Sequence, residues 1–580
     1  MLNLGITAFT HDSAAALVDD GEIVCAVEEE RLSRVKHTGV WPARAIDECL
    51  RHRGARLRDV DTVAFYWDPW LTVRSRFGNS LRHSPRYLAR LCGNGPEAAG
   101  RPVRGSVSAL VNMMRLRNHL SSMYGDDARA VRIEYVPHHL AHAASAFLAS
   151  PFERAAIWTV DGTGERDTSL LAAGTAEGIE VLQRTPYPHS LGVLYGALTQ
   201  YLGFRVADEE WKVMALAAYG QPRHHESLSR LVRLRDDGTL RLDLDYFRFQ
   251  YPGEPVWFSP RLVELLGPAR APAESPLAER FVDIAASLQQ LTKEIALHAV
   301  RRLHAASPQE NLTVAGGVAL NASVNDFLVE HSPFKRIFIP PAPYDAGCAP
   351  GAALYIHQRR GGSRRVPMRH AYLGPVSGCD DIERALNESG LHYRRVPDIC
   401  RCVARLLSEQ KVVGWFQGRM EFGPRALGNR SILADPREQG MRDRVNEKVK
   451  FRERFRPFAP SVLAERFEQF FEGAPMSPFM LFLRDAKPEV RERIPAVLHV
   501  DGTARVQLVE SSVNPRFHQL LTRFDELTGI PMLLNTSFNT AEEPIVCSPQ
   551  DAIRSFLRSG LDALAMDDFL VSKADVAVSP

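Results

Sequence analysis

The sequence contains no run of about 18 consecutive apolar residues, so no stretch of it is suited to cross a bilayer as a helix. Its first residues lack a basic region followed by an apolar core, and Leu2 to Ile6 reads instead as a strand. A cytoplasmic protein without a membrane partner is therefore expected. Cysteine is sparse: the eight residues at 25, 49, 92, 348, 379, 400, 402 and 547 show neither the paired spacing of a zinc site nor the density of a disulfide scaffold. They read as reduced, mostly buried thiols. Charge of one sign is not in excess either, since 71 basic and 69 acidic residues leave a net charge of +2, which disfavours polyanions without excluding them, and nucleic acid is not an expected partner.

What is present is an ordinary globular composition, 45% hydrophobic and 24% charged over 580 residues, long enough for two or more cores. In chain order, Leu2–Ile6, Ala14–Val18 and Glu22–Val27 predict three strands, joined by the turn Thr10-His11-Asp12-Ser13 and a hairpin at Asp19-Asp20-Gly21. The pattern returns at Ala155–Val160, Ser169–Gly174 and Ile179–Gln183, again with an acidic residue, Asp161, after the first strand. This duplicated meander resembles the two lobes of the actin-like ATPase superfamily, which bind nucleotide in a cleft. The glycine loops fit that reading. Gly162 and Gly164 follow one strand, and Gly316, Gly317 and Asn321 follow another at the start of a predicted helix, where bare backbone can receive phosphate or ribose. Tight turns are the alternative.

His138 and His142, in Pro137-His138-His139-Leu140-Ala141-His142, lie four residues apart among small residues that predict a helix, so both imidazoles share a face and can grip one metal ion. Asp161 and Asp345, each at a predicted strand-to-helix turn, are oxygen donors that would complete the site. A histidine pair also serves packing, and the spacing alone leaves that open. Residues 66 to 130, with Trp67, Trp70, Arg74-Ser75-Arg76 and Arg82 to Arg86, read as a helical insertion that shapes an acceptor pocket or merely decorates the surface. Ser190–Gly196 and Glu209–Gly220 look helical, and Lys212 is either a phosphate ligand or a surface lysine.

The basic run Arg359 to Pro367 reads as a linker, giving domains 1–362 and 363–580. In the second, Gly418 to Ser431 places Arg419, Arg425 and Arg430 among glycines and a proline, and Lys448, Lys450, Arg452, Arg454 and Arg456 follow closely. Guanidinium forks bind phosphate and carboxylate bidentately, although solvated charge or an RNA strip would leave the same composition. Leu533 to Thr540 ends an apolar strand in a loop carrying Ser537 and Asn539. Arg505, within an apolar stretch and expected on a neighbouring strand, calls for an anionic partner.

The strings HHLAH, VDGTGE, GGVALN, GRMEFGPRALGNRSIL and NTSFN, in this order across essentially the whole chain, resemble the NodU/CmcH family of O-carbamoyltransferases. That resemblance implies an α/β and α+β protein of two domains: an actin-like (ASKHA) duplicated-lobe nucleotide-binding domain followed by a YrdC-like domain. It implies carbamoyl phosphate and ATP as co-substrates, with Mg2+ accompanying the ATP, and carbamoyl adenylate made in the second domain. The carbamoyl group would pass to a hydroxyl of a small molecule, an antibiotic or glycoside, beside Fe(II) or a similar divalent metal on His138, His142, Asp161 and Asp345. Motif by motif it assigns carbamoyl phosphate to Arg425, Lys450, Arg456, Arg505, Ser537 and Asn539. His11 is the candidate general base and Lys36 a contact to the adenylate or acceptor. A homodimer is permitted. The rival readings are a tRNA threonylcarbamoyl-type transferase and a non-catalytic actin-like scaffold.

Overall fold

The computed structural model describes residues 1–75, 107–251, 254–271, 277–450, 455–474, 478–541 and 543–575. Of the features anticipated above, Arg76, Arg82 to Arg86, Cys92, Arg452 and Arg454 lie outside these residues, as does the Lys448 side chain. The chain divides into two compact units, Met1–Glu29 with His37–Met368, and Glu30–Lys36 with Arg369–Pro580. No helix among the described residues is long and apolar enough to cross a membrane.

The first unit is built twice over. Strands β1 (Leu2–Thr7), β2 (Ala14–Asp19) and β3 (Glu22–Glu28) form an antiparallel meander, and β4 (Thr62–Phe65) and β5 (Arg132–Tyr135) extend it in parallel from β1, in the order β3-β2-β1-β4-β5. Helix α1 (His138–Phe147) follows β5. The second sheet repeats the scheme: the meander β6 (Ala155–Val160), β7 (Asp167–Thr175), β8 (Gly178–Pro186), then β9 (Asn311–Ala315) and β10 (Arg336–Phe338), ordered β10-β9-β6-β7-β8. Helices α2 (Leu191–Tyr201), α3 (Glu279–Ala306) and α4 (Ala322–His331) lie between β8 and β10 in sequence, and α5 (Cys348–Arg359) follows β10 as α1 follows β5. The fold is mixed α/β, with mixed parallel and antiparallel sheets.

The two equivalent helices are exchanged. Helix α1 leaves the first sheet and packs on β6, β7 and β9 of the second, whereas α5 leaves the second and packs on β1, β2 and β4 of the first. Composition explains the closeness: α1 is buried on all sides except at Leu140, as a helix surrounded by protein must be. A Cβ on Gly351 would stand 2.0 Å from the Ala141 carbonyl oxygen, and one on Gly5 would stand 1.8 Å from that of Ala349. Only glycine permits these approaches of α5 to α1 and to β1.

The basic run after α5 is strapped to this unit. Arg359 and Arg360 both bond Glu134, Arg364 pairs with Glu22 at 3.0 Å, and Arg365 stacks 4.2 Å from the centroid of the Phe147 ring. The run expected as a linker is thus held down by acidic partners and one aromatic ring. In the 66–130 region the described part contains helices at Val107–Met114, Leu116–Tyr124 and Asp127–Ala130.

The second unit contains an eight-stranded mixed sheet: β11 (Arg394–Arg395), β12 (Val413–Phe416), β13 (Arg430–Ala434), β14 (Ala459–Leu463), β15 (Gln507–Val509), β16 (Met532–Ser537), β17 (Ala563–Met566) and β18 (Phe569–Ser572), ordered β11-β18-β17-β12-β13-β16-β14-β15. Helix α6 (Ile399–Ser408) and helix α7 (Pro515–Thr528) pack together over one core with it. Phe517, Leu520, Leu521 and Phe524 of α7 recur at helical spacing and are buried, each side chain worth roughly 1.5–3 kcal/mol of burial. Asn514 caps the helix start ahead of Pro515, and Gly529, in the left-handed region, ends it. The Glu30–Lys36 segment belongs here: Arg31 bonds the Gly423 carbonyl at 2.9 Å, Arg34 bonds those of Ile545 and Pro544, and Leu32 packs on Met420, Ile545 and Cys547.

Candidate metal centre and anion site

Four equivalent positions of the duplicated first unit converge. After the first strand of each sheet come His11 and Asp12 in one copy and Asp161 in the other. After the fifth strand come His138 and His142 on the first turn and a half of α1 in one copy, and Asp345, in the short turn that opens α5, in the other. One ligating atom from each of His138, His142, Asp161 and Asp345 lies within 4.8 Å of all the others, and all four residues are buried. His138 Nε2 stands 3.2 Å from Asp161 Oδ2 and 3.9 Å from Asp345 Oδ1, and His142 Nε2 stands 3.9 Å and 3.8 Å from the same two oxygens.

The donor set suits a divalent cation. Both histidines are 0% exposed, and His142 Nε2 makes no hydrogen bond among the described residues although it faces two carboxylates. Burial and the neighbouring His138 push His142 well below the usual histidine range, so it is a neutral imidazole with a lone pair available. Burial alone would also depress His138, but the carboxylates of Asp345 and Asp161 beside it hold it above its ordinary value. Two buried carboxylates with one neutral imidazole form a pocket of negative charge that a cation of charge two would offset.

The surroundings position these ligands. Glu165, buried, accepts hydrogen bonds from the amides of His138 (3.0 Å) and Asp68 (2.7 Å), capping α1 and fastening the chain beyond β4 to it. His139 points its Nδ1 at Thr159 Oγ1 (2.8 Å), and burial together with His138 pushes it down to about 3. Tyr66 and Trp67 pack their rings against His138, 5.5 Å and 5.1 Å between centroids. Cys348 Sγ also falls within reach of His138 and His142, although burial and the adjacent carboxylates hold it well above the usual thiol range, as a protonated thiol. Glu165, Tyr66 and Cys348 escaped sequence reasoning. Glu165 alone had a signal, its place at the end of the glycine turn after β6.

His11 lies beside this centre, with Nε2 3.5 Å from Asp345 Oδ2 and Nδ1 2.7 Å from Asp12 Oδ2. Lys36 is exposed and lies in the segment grouped with the second unit. Of the glycines, Gly317 donates its amide to Asp161 Oδ1 at 2.9 Å, Gly316 takes φ 103° with β6 directly beneath it, Gly162 accepts from Ser190 Oγ and Gly164 bonds Asp167. Asn321 caps α4 through Val324 and exchanges two hydrogen bonds with the Gln289 amide, so its side chain has a structural role, and a short 3-10 turn separates it from Gly316. Lys212 pairs with Glu209 at 2.8 Å, a structural contact where a phosphate was considered.

In the second unit the structure sorts the arginines of the Gly418–Ser431 motif. Arg430 is fully buried, donates to the carbonyls of Gln417, Gly418, Asn429 and Cys547, and stacks 3.7 Å from the Phe416 centroid. Arg419 bonds the carbonyls of Gly374 and Leu373. Both hold the loop. Glu421 does the same from the other side, its Oε1 accepting from the amides of Leu427, Asn429 and Arg430.

Arg425 remains half-buried, and the two residues after it are tied to the sheet. Asn535 and Gln507 donate to the Ala426 and Leu427 carbonyls, Ala459 opposes Asn535, and Ser461 opposes Gln507. Ser537 ends β16, whereas Arg456 precedes β14 and Arg505 precedes β15, both outside the paired residues. Arg505 lies in the two-residue link before β15, not on a strand as expected, because Arg484–Asp485 and Thr503–Ala504 form their own small pair. Lys450 is buried and donates to Ser537 Oγ (3.1 Å) and to both oxygens of Asn539 (2.7 and 3.0 Å).

Comparison with known proteins follows the same division. A model of the carbamoyltransferase N-terminus matches residues 3–354, and one of the carbamoyltransferase C-terminus matches residues 404–573. The uncharacterized protein sll1178 of Synechocystis sp. is 41% identical over 606 residues, covering 98% of this chain and 96% of that protein. Nodulation protein NolNO of Sinorhizobium fredii is 40% identical over 573 residues (97% and 79%), and nodulation protein U of Rhizobium tropici 31% over 562 residues (91% and 89%). Among solved structures, HypF of T. kodakarensis aligns with 62% of this chain and 48% of its own at 16% identity and a TM-score of 0.32, too slight a likeness to argue from.

Proposed function

We propose, from the premise that the chain belongs to the carbamoyltransferase family, that this carbamoyltransferase uses ATP and carbamoyl phosphate to carbamoylate a hydroxyl group, with its two units dividing the reaction. The observation that carries the reading is the buried His138, His142, Asp161 and Asp345 set with the His11 imidazole beside it. The repeated sheet order supports an actin-like first unit, with nucleotide held along Gly162, Gly164, Gly316 and Gly317. A YrdC-like second unit is part of the same proposal.

In the second unit Arg425, Lys450, Arg456, Arg505, Ser537 and Asn539 bind carbamoyl phosphate. Water releases its phosphate, and a carbamate oxygen attacks the α-phosphorus of ATP while the bond to pyrophosphate breaks. Carbamoyl adenylate results and is consumed in the first unit. A divalent ion, iron(II) by the family resemblance, would be held by His138, His142, Asp161 and Asp345 and would supply Lewis acidity toward the carbamoyl oxygen. His11 takes the acceptor's hydroxyl proton at Nε2, the acceptor oxygen forms its bond to the carbamoyl carbon, and the bond from that carbon to AMP breaks. Glu165 holds α1, and with it His138, in place throughout. The acceptor is a small molecule, an antibiotic or glycoside; Mg2+ accompanies ATP; and the protein works in the cytoplasm without nucleic acid or membrane.

Isotope exchange between pyrophosphate and ATP tests the first half. Exchange that requires carbamoyl phosphate, in the absence of any acceptor, is expected; no exchange under reducing conditions with iron supplied would overturn the reading.

A further inference from the structure

Beyond His11 runs a line of side chains that no step above employs. Asp12 Oδ2 lies 2.7 Å from His11 Nδ1, and its other oxygen, Oδ1, lies 2.7 Å from His37 Nδ1. His37 Nε2 in turn lies 3.3 Å from Asp208 Oδ1, and Asp208 Oδ2 lies 3.0 Å from Arg205. One buried carboxylate thus holds two imidazoles, each through Nδ1, and a second carboxylate anchors the far ring.

The backbone bears strain to place these groups. Asp12 has φ 52°, His37 φ 52°, and Ala207, the residue before Asp208, φ 59°. Each is a non-glycine residue in the left-handed region, which costs about 1–2 kcal/mol per position. Such strain persists only where the surroundings over-determine it. Here it recurs at or beside three members of one hydrogen-bonded line. The main chain secures the two turns together, with the Phe9 amide donating to the Gly39 carbonyl and the Ser13 amide to that of Thr38, at 2.8 and 2.9 Å.

We infer that Asp12 and His37 are positioning residues for the transfer step: Asp12 fixes the tautomer and ring plane of His11 so that Nε2 faces the metal centre, and His37, braced by Asp208, fixes Asp12. The inference rests on the reading of His11 given above. An imidazole with Nδ1–H bound to a carboxylate keeps its Nε2 lone pair for the reacting proton, and it loses that preference when the carboxylate becomes an amide. Asp12 and Asp345 carry charge beside His11, and Asp12 and Asp208 carry it beside His37. His11 thereby ends an imidazole–carboxylate–imidazole–carboxylate series, His11–Asp12–His37–Asp208.

The test uses the full-length protein with its metal and three variants, Asp12→Asn, His37→Asn and the double variant. In transfer assays with carbamoyl phosphate, ATP and an acceptor hydroxyl, Asp12→Asn should lower kcat on the order of 10²-fold or more, within the usual range for a general-base term, with acceptor KM and pyrophosphate exchange unchanged. His37→Asn should lower kcat less, and the double variant should be no worse than Asp12→Asn alone, because the two act in series. Additive losses, or an equal fall in exchange, would overturn the inference. An arm independent of turnover is diethyl pyrocarbonate labelling of each histidine, mapped by mass spectrometry. His11 labelling should slow several-fold in Asp12→Asn and to a lesser degree in His37→Asn, with His225 unaffected as a control. Wild-type protein showing neither exchange nor transfer, yet with this labelling pattern, would remove the proposed reaction and keep the positioning; unchanged His11 labelling would remove the positioning whatever the activity.

Discussion

Replacing Glu421 tests whether the most polar loop of the second unit is scaffold or ligand site. The residue is 4% exposed, and one of its oxygens accepts from three backbone amides, at 2.7, 2.8 and 3.2 Å. It is also the leading favourable charge for the buried Arg430 guanidinium, which burial otherwise depresses. Glu421→Ala leaves amides that water cannot reach, each worth about 1–3 kcal/mol, and removes the compensating charge. Such losses do not add fully, and removal of one member of a buried charged group costs about 3–5 kcal/mol in total. Glu421→Gln keeps the shape and one acceptor oxygen and should cost about 2 kcal/mol. At 2–4 °C per kcal/mol for a unit of this size, the expected fall in Tm is about 4–8 °C for the amide and about 6–20 °C for alanine. Differential scanning calorimetry reads it as a shift in one transition, that of the second unit. A Glu421→Ala protein that melts with the wild type but no longer binds carbamoyl phosphate would refute the argument and make Glu421 a ligand.

Other outcomes follow from the same geometry. His142→Ala and Asp161→Asn should each reduce bound divalent metal to a small fraction of the wild-type stoichiometry, read by plasma mass spectrometry after anaerobic iron loading and desalting, with the circular dichroism spectrum retained. Gly351→Ala forces a methyl group to 2.0 Å from the Ala141 carbonyl oxygen and should destabilise the first unit by about 2 kcal/mol or more in urea titration. Lys450→Met removes the cation that gathers Ser537 and Asn539 and should cut carbamoyl-phosphate-dependent exchange by about 10²-fold. Burial would raise Asp12, yet His11 and His37 hold it well below the usual carboxylate range, so its contribution to stability is complete above its unfolded value of 3.8 and lost as pH falls through the lower folded value. Asp12→Asn should therefore destabilise at neutral pH, and the gap to wild type should close as pH falls below about 4, in denaturant midpoints taken across that range.

Periodicity and punctuation settle more of this molecule than its composition suggests. The meander at residues 2–28 and its repeat at 155–186 are legible because strands alternate in period two and end at Asp-Asp-Gly or Glu-Gly turns. The pairing of His138 with His142 is legible because both share one helix face. Asp161 and Asp345 could be nominated as acidic residues at strand ends. No local pattern states that the two lie against those histidines, because each comes from a different part of the duplicated fold and the exchange of α1 and α5 is what joins them.

The same limit explains the arginines. Arg419, Arg425 and Arg430 look alike in sequence, a guanidinium among glycines. Their roles are decided by neighbours hundreds or tens of residues away: Arg430 is spent on carbonyls as distant as Cys547, Arg419 on Leu373 and Gly374, and the residues after Arg425 are held by Gln507 and Asn535. Asp12 and His37 show it again, since they are 25 residues apart and meet only through left-handed turns. By itself the sequence determined the elements, the doubled topology and the residue types able to carry the chemistry, because these depend on local propensity and on spacing within one element. Only the tertiary structure decided which of them touch, because burial, charge compensation and close backbone approach are properties of neighbours that the chain brings together from far apart.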